Sequence, residues 1–239
     1  AADRVVVAPG IAFDAVPGLT DGGAMPHAWR AGAQTTLLAR QLAAMPASGV
    51  VVLTVPKAPY RCPPGPYERA CLLADWMRVN KPRGKLVVLD ANPDFVTEKD
   101  NFSRAFFDLH AGIVEYRSGV VVDHVDTPSK TVFTDGGAVR GDVVNLIPPQ
   151  RAAALLRRAG LVNSADRRFA AVDVLSYAST AAPLVHVLGD ASATTQPKAG
   201  HIANQEAKVC ADALVRIFAG GEPDPAPVTN SACFSTITM

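Results

Sequence analysis

The sequence predicts an α/β fold built on a parallel sheet. Continuous β-branched runs of strand length alternate with segments whose apolar residues recur at helical spacing. The runs lack polar alternation, as do strands buried on both faces. A chain of 239 residues, 49% hydrophobic and 19% charged against roughly 25% charged in an average soluble domain, has room for one large or two modest domains and the apolar content to fill their cores.

Residues 4–8 (RVVVA) read as a short buried strand closed by a Pro9-Gly10 turn. After a polar, Gly-rich connection, residues 33–45 place Leu38, Leu42 and Met45 at helical spacing and stop at Pro46. Residues 50–55 form a strand buried on both faces. Gly65-Pro66 opens a helix to about Asn80, with Pro at the first helical position and Glu68 in the first turn, where the helix dipole favours a carboxylate. Residues 85–90 (KLVVLD) are another apolar strand. Residues 98–109 carry Phe102, Phe106 and Leu109 on one helical face and stop before Gly112.

From 113 to 139 the pattern changes to short β-rich runs punctuated by Asp135-Gly136-Gly137, the mark of a small antiparallel meander. Residues 142–147 give one more strand, ended by Pro148-Pro149. A helix over 151–158 closes at Gly160, and a strand over 184–188 runs into Gly189-Asp190. Residues 200–218 are an amphipathic helix with Ile202, Ala203, Val209, Cys210, Ala213, Leu214 and Ile217 on its apolar face. The Pro- and acid-rich stretch 221–227 reads as a boundary, and no internal repeat occurs.

Lys+Arg 23 against Asp+Glu 22, with no basic cluster, sets nucleic acid aside as a partner. No apolar run nears the roughly 18 residues of a membrane span, so a soluble chain is expected. The N-terminal residues have no Met, basic n-region or apolar h-region, hence no targeting signal. Neither the four cysteines (62, 71, 210, 233) nor the five histidines show metal-ligand spacing, so no metal is expected.

The turn after 50–55 is where a nucleotide-binding unit would carry G-x-G-x-x-G. Here five prolines occupy residues 56–66, removing N–H donors and arguing against a dinucleotide. The loop offers Cys62 beside Arg61 and ahead of a helix N-terminus, features that favour a thiolate. A rigid structural loop with an incidental cysteine is the other reading. Gly189-Asp190 suits a flavin site, where the Asp accepts from ribityl hydroxyls and a nearby helix N-terminus faces the ring carbonyls, but the same dipeptide also caps helices. His201 falls in the first turn of the last helix. Cys233 reads equally as a small buried hydrophobe; Cys71 and Cys210, among apolar helix neighbours, read as core.

Tyr60-Arg61-Cys62-Pro63-Pro64-Gly65-Pro66-Tyr67-Glu68-Arg69, Asn145-Leu146-Ile147-Pro148-Pro149-Gln150 and His186-Val187-Leu188-Gly189-Asp190-Ala191 together resemble the flavoprotein subunit of flavocytochrome c sulfide dehydrogenase. So do Met25-Pro26-His27-Ala28-Trp29 and Cys233-Phe234-Ser235, so the resemblance extends over nearly the whole chain. It implies a two-dinucleotide-binding-domain, glutathione reductase-like α/β flavoprotein fold, present in part. Residues 1–32 would end the first half of the FAD domain and include a linker. An inserted NAD(P)-like domain would follow over 33–139, the second half of the FAD domain over 140–220, and the start of a C-terminal interface domain over 221–239.

The resemblance also implies a redox-active disulfide between Cys62 and Cys233, a proton-handling Glu68, and FAD held by Pro9, Gly10, Gly189, Asp190, Lys198, Gly200 and His201. Hydrosulfide would open the disulfide to a persulfide, the freed thiolate would pass two electrons to the flavin, and a c-type cytochrome subunit would take them singly in the periplasm. This agrees with the missing glycines, since the electrons would not come from NADH. No G-x-G-x-x-G opens the chain, no cysteine precedes Arg4 to link a flavin, and Met239 closely follows Cys233. A fragment that binds FAD poorly and lacks turnover by itself is therefore expected. The alternatives are a sulfide:quinone oxidoreductase, which would need a C-terminal amphipathic membrane anchor, an NADH-dependent flavin reductase, which the Pro-rich turn disfavours, and a catalytically inactive remnant whose cysteines are structural.

Overall fold

The computed structural model describes residues 2–20 and 23–239. In chain order its strands and helices are β1 (Val5–Val7), β2 (Ile11–Phe13), α1 (Ala33–Ala44), β3 (Val50–Val55), α2 (Gly65–Asn80), β4 (Lys85–Asp90), α3 (Lys99–Arg104), β5 (Val114–Ser118), β6 (Val122–Asp126), β7 (Thr131–Thr134), β8 (Gly137–Arg140), β9 (Val143–Asn145), β10 (Gln150–Ala152), α4 (Ala154–Arg158), β11 (Ala170–Ala171), β12 (Ala178–Ser179), β13 (Ala182–Val187), β14 (Ser192–Ala193) and α5 (Gly200–Phe218). They pack as two units. The first comprises Ala1–Phe13, Pro59–Pro63 and Gln150–Cys233; the second comprises Asp14–Ala58, Pro64–Pro149 and Phe234–Met239.

The second unit is built on a four-stranded parallel sheet in the order β5-β4-β3-β9. Its central strands are apolar and almost wholly buried, because helices and connections cover both faces. α2 makes the crossover from β3 to β4 that parallel pairing requires and buries Ala70, Cys71, Leu73, Ala74 and Met77. The antiparallel sheet β6-β7-β8 packs Val125, Val132 and Val139 into one core with Val52, Val87, Leu89 and Val144. Each such side chain contributes roughly 1.5–3 kcal/mol by leaving water. A Cβ on Gly18 (φ +80°) would fall on the Val125 carbonyl oxygen, so that approach demands glycine.

Three expectations for this unit change. Residues 98–109 are not one regular helix: α3 passes into a π-turn, Ala105–Leu109, in which the His110 N–H bonds to the Ala105 carbonyl at 2.8 Å. The wider turn keeps Phe102 and Phe106 buried but rotates Leu109 outward, to 41% exposure. β5 is an outer strand of the parallel sheet and not part of the meander, since Leu86 to Asp90 pair in parallel with Val114 to Ser118. The last strand, expected over 142–147, is trimmed to β9 and pairs with β3, and the second unit runs on to Pro149.

In the first unit, β1 lies parallel to β13, and β12 runs antiparallel on the other side of β13. The buried strand expected at 4–8 is an edge strand instead, with Val5 and Val6 45% and 46% exposed. β2, expected as loop, pairs antiparallel with β10, which takes the first residues of the helix expected over 151–158 and leaves only α4. The core gathers Ile11, Ala152, Leu156, Phe169, Val187 and Ala191. α5 is held by Cys210 against Leu188 and Tyr177. Among the described residues no helix is long and apolar enough to cross a membrane, and no cluster of His, Cys, Asp and Glu could hold a metal ion.

Candidate functional site

Loop 59–63 is fixed within the first unit by a parallel bridge between Arg61 and Lys198. The Cys62 N–H donates to the Lys198 carbonyl at 2.7 Å, and the Arg61 N–H donates to Gln150 Oε1 at 2.9 Å. Cys62 is exposed and adopts φ +59°, a left-handed conformation that costs a non-glycine residue about 1–2 kcal/mol. Its thiol is thus presented to solvent from a backbone held against its own preference.

Behind the loop lies a buried charged group. β13 runs into Gly189, whose φ of +69° turns the chain into a short 3₁₀ turn over Gly189–Ala191, and not directly into a helix. The Gly189 N–H donates to Glu206 of α5. Lys198 is 6% exposed; its Nζ donates to the Ser192 carbonyl at 2.6 Å and lies 3.8 Å from the centre of the Phe169 ring. Burial lowers its pKa to about 8, against the opposing pull of Asp190 and Glu206. Burial also raises Asp190, countered by Lys198 and Arg61, and raises Glu206, countered by the Gly189 N–H and Lys198.

A lysine whose folded pKa lies below its unfolded value adds stability that is present above the unfolded pKa and lost as pH falls through the folded one. Unfolding free energy is therefore expected to gain from Lys198 as pH rises from about 8 to about 10.5. Chemical denaturation across that range checks this: Lys198→Met should flatten the rise, and an unchanged slope would refute it.

The remaining expected site residues are placed as follows. Pro9 and Gly10 follow β1, half-buried, with Gly10 at φ +69° and its carbonyl accepting the Ala153 N–H. Gly200 opens α5. His201 is exposed, its Nε2 3.2 Å from Ser231 Oγ. Glu68 is in the first turn of α2 and accepts the Thr236 N–H at 3.0 Å. Cys233 is exposed, and all four cysteines are thiols, so the implied Cys62–Cys233 disulfide is not formed in this structure. Cys71 and Cys210 are buried as expected, and burial pushes the Cys71 thiol up to about 12.

Sequence reasoning gave Gln150 and Glu206 no role. Gln150 has no exposed surface, its Oε1 holds Arg61, and its Nε2 is buried without a hydrogen-bond partner. Glu206 sits four residues after Ile202 and four before Cys210, and a carboxylate inside that apolar stripe was the available signal.

Within the second unit, the quoted motifs meet. Arg69 donates to the His27 and Ala28 carbonyls and to Asn145 Oδ1 and stacks 4.8 Å over Trp29. Asn145 Nδ2 in turn donates to the Pro26 and His27 carbonyls, so this group ties segment 25–29 to α2 and β9. At the end of β4, where a dinucleotide-binding domain presents a carboxylate to a ribose, Asp90 is wholly buried. It accepts from Tyr67, Tyr116 and the side chain and backbone of Asn92, each at 2.8 Å. The nearby cavity, lined by Val55, Pro56, Ala91 and Ile147 among others, holds about 110 Å³, less than the roughly 300–1,000 Å³ of ligand sites.

This α/β fold, with its parallel sheet and meander, is that of the two-dinucleotide-binding-domain flavoproteins. The sulfide:quinone oxidoreductase of Aquifex aeolicus matches with a TM-score of 0.71 and 16% identity, over 91% of this chain and 55% of that one. A chain of the Tetrahymena thermophila mitochondrial ATP synthase matches at 0.68 and 17%, over 93% and 58%. An NAD-dependent persulfide reductase from A. fulgidus matches at 0.61 and 15%, over 96% and 41%. The chain thus spans about half the length of these solved chains, and at such identities the likeness is one of fold. Residues 35–148 match the family model described as sulfide dehydrogenase [flavocytochrome c] flavoprotein chain, central. That span, just under half of the chain, is thus similar to the central part of the flavocytochrome c sulfide dehydrogenase flavoprotein, the family that the motifs resemble.

Proposed function

We propose that the protein acts as the flavoprotein subunit of a sulfide dehydrogenase, oxidising hydrosulfide at Cys62 and Cys233 and passing electrons by way of FAD to a c-type cytochrome in the periplasm. The observation that carries this reading is Cys62 itself, an exposed residue on a left-handed backbone, held by its own N–H and that of Arg61, where a nucleotide-binding domain would have its glycine turn. The family match over 35–148 and the resemblance to a sulfide:quinone oxidoreductase support it.

The first unit's residues fit a flavin. Gly10 and Gly200 leave open space where a Cβ would stand, Asp190 offers an acceptor for ribityl hydroxyls, and the buried Gln150 Nε2–H lacks an acceptor that a bound ring carbonyl would supply. The first N–H groups of α5, at Gly200 and His201, add donors at the positive end of a helix. FAD, when bound, accepts electrons as a pair and releases them one at a time.

In the sulfur step, HS⁻ attacks one sulfur of a Cys62–Cys233 disulfide: a new S–S bond forms, the old one breaks, and one cysteine carries a persulfide while the other leaves as thiolate. Exposure of both sulfurs gives the nucleophile its access. Glu68, as the resemblance implies, takes the proton that hydrosulfide brings. The test is acceptor and donor choice. The holoenzyme, assembled with FAD and its cytochrome subunit, is expected to reduce cytochrome c with sulfide and not with NADH, and to prefer the cytochrome to a soluble quinone. Turnover with NADH and none with sulfide would overturn the reading, and quinone preference would move it to a sulfide:quinone oxidoreductase.

A further inference from the structure

Residue 62 precedes Pro63, and a residue before proline is driven towards extended conformations, yet Cys62 stands at φ +59°. Local sequence therefore works against the observed backbone, and something must hold it. Two hydrogen bonds on adjacent N–H groups do so: Cys62 to the Lys198 carbonyl and Arg61 to Gln150 Oε1.

Gln150 is the better anchored of the two supports. Its main chain pairs with Phe13 in the β10–β2 ladder, and its carbonyl accepts from Arg168 Nε at 2.8 Å and from a second nitrogen of the same guanidinium. Arg168 is itself stacked over Phe169 and donates to the Pro59 carbonyl, at the other end of loop 59–63. The Gln150 side chain is wholly buried, so its position is set by packing and not by solvent.

We propose that Gln150 is a positioning residue for Cys62, fixing the left-handed backbone that presents the sulfur by accepting the Arg61 N–H. The functional meaning rests on the reading of Cys62 as the reacting sulfur; the positioning itself does not. The choice of side chain is informative: a glutamate retains the acceptor, a methionine retains only the shape, and an asparagine withdraws the amide by one methylene.

Amide hydrogen exchange on the full chain, followed by NMR at Arg61 and Cys62, separates these. Gln150→Met is expected to accelerate exchange at both amides by about tenfold, the factor that one hydrogen bond of ordinary net strength corresponds to, while Gln150→Glu keeps both within about twofold of wild type. The Cys62 amide is the decisive reporter, because Gln150 does not touch it. Gln150→Asn should behave as methionine does and covers the case in which methionine is not tolerated; Leu53 and Val88 in the second unit serve as the fold control. An unchanged Cys62 amide in the methionine or asparagine variant, or a glutamate variant as fast as either, would overturn the proposal. No turnover is read, so a failure of the sulfide reading leaves this result standing, and the reverse.

Discussion

On the proposed function, Cys62→Ser is expected to lower sulfide-dependent cytochrome c reduction by the holoenzyme by about 10⁴-fold or more, the scale on which losing a covalent nucleophile acts. A serine hydroxyl forms neither a disulfide nor a persulfide, so no electrons leave sulfide by this route. The effect on folding should be within about 0.5 kcal/mol, because the residue is exposed, nearly isosteric, and held through its backbone N–H, which serine retains. Cys233→Ser should behave alike. Cys71→Ser is the control: burial pushes that thiol up to about 12, so no thiolate is present near neutrality, and the rate per folded molecule should not change. Anaerobic stopped-flow reduction of the FAD-loaded holoenzyme by sulfide measures all three, and a Cys62→Ser rate within tenfold of wild type would remove Cys62 from the chemistry.

How far the sequence discloses this site depends on whether the relevant contact is local. β3, α2 and β4 are legible to the residue, because continuous β-branched runs and the Gly65-Pro66 start are signals carried within each segment. The loop that carries Cys62 is legible for the same reason, its prolines standing where a glycine turn would stand. The three-residue strands β1, β2 and β10 are not, since each exists only through a partner more than a hundred residues away and is too short to show a period. Leu109 is misplaced because a π-turn shifts the face by one residue without changing composition. Gln150 lies in a quoted motif, but its partner Arg61 is 89 residues distant, and Arg69, Asn145 and Trp29 likewise become one group only in three dimensions.

The same non-locality governs Asp90, whose removal should produce the largest loss of stability. Four donors from α2, β5 and residue 92 converge on its two oxygens, and Tyr67 and Tyr116 also pack against Phe95 at 5.1 and 4.5 Å between ring centres. Asp90→Ala would bury two phenol hydroxyls and an amide with no acceptor, at a cost of about 3–5 kcal/mol and roughly 10 °C in Tm. Asp90→Asn keeps one acceptor oxygen and should cost about 1–2 kcal/mol. Burial raises the Asp90 pKa despite its donors, so the folded state holds the proton more tightly than the unfolded one. That contribution is full below the ordinary carboxylate pKa and is lost as pH rises through the folded value. Thermal unfolding from pH 3 upward should therefore show a decline in wild type that Asp90→Asn lacks, and parallel curves would refute it. Function follows from the same four bonds. A ribose seeking this carboxylate would have to displace Tyr67 and Tyr116 from their acceptor and open the aromatic packing behind them.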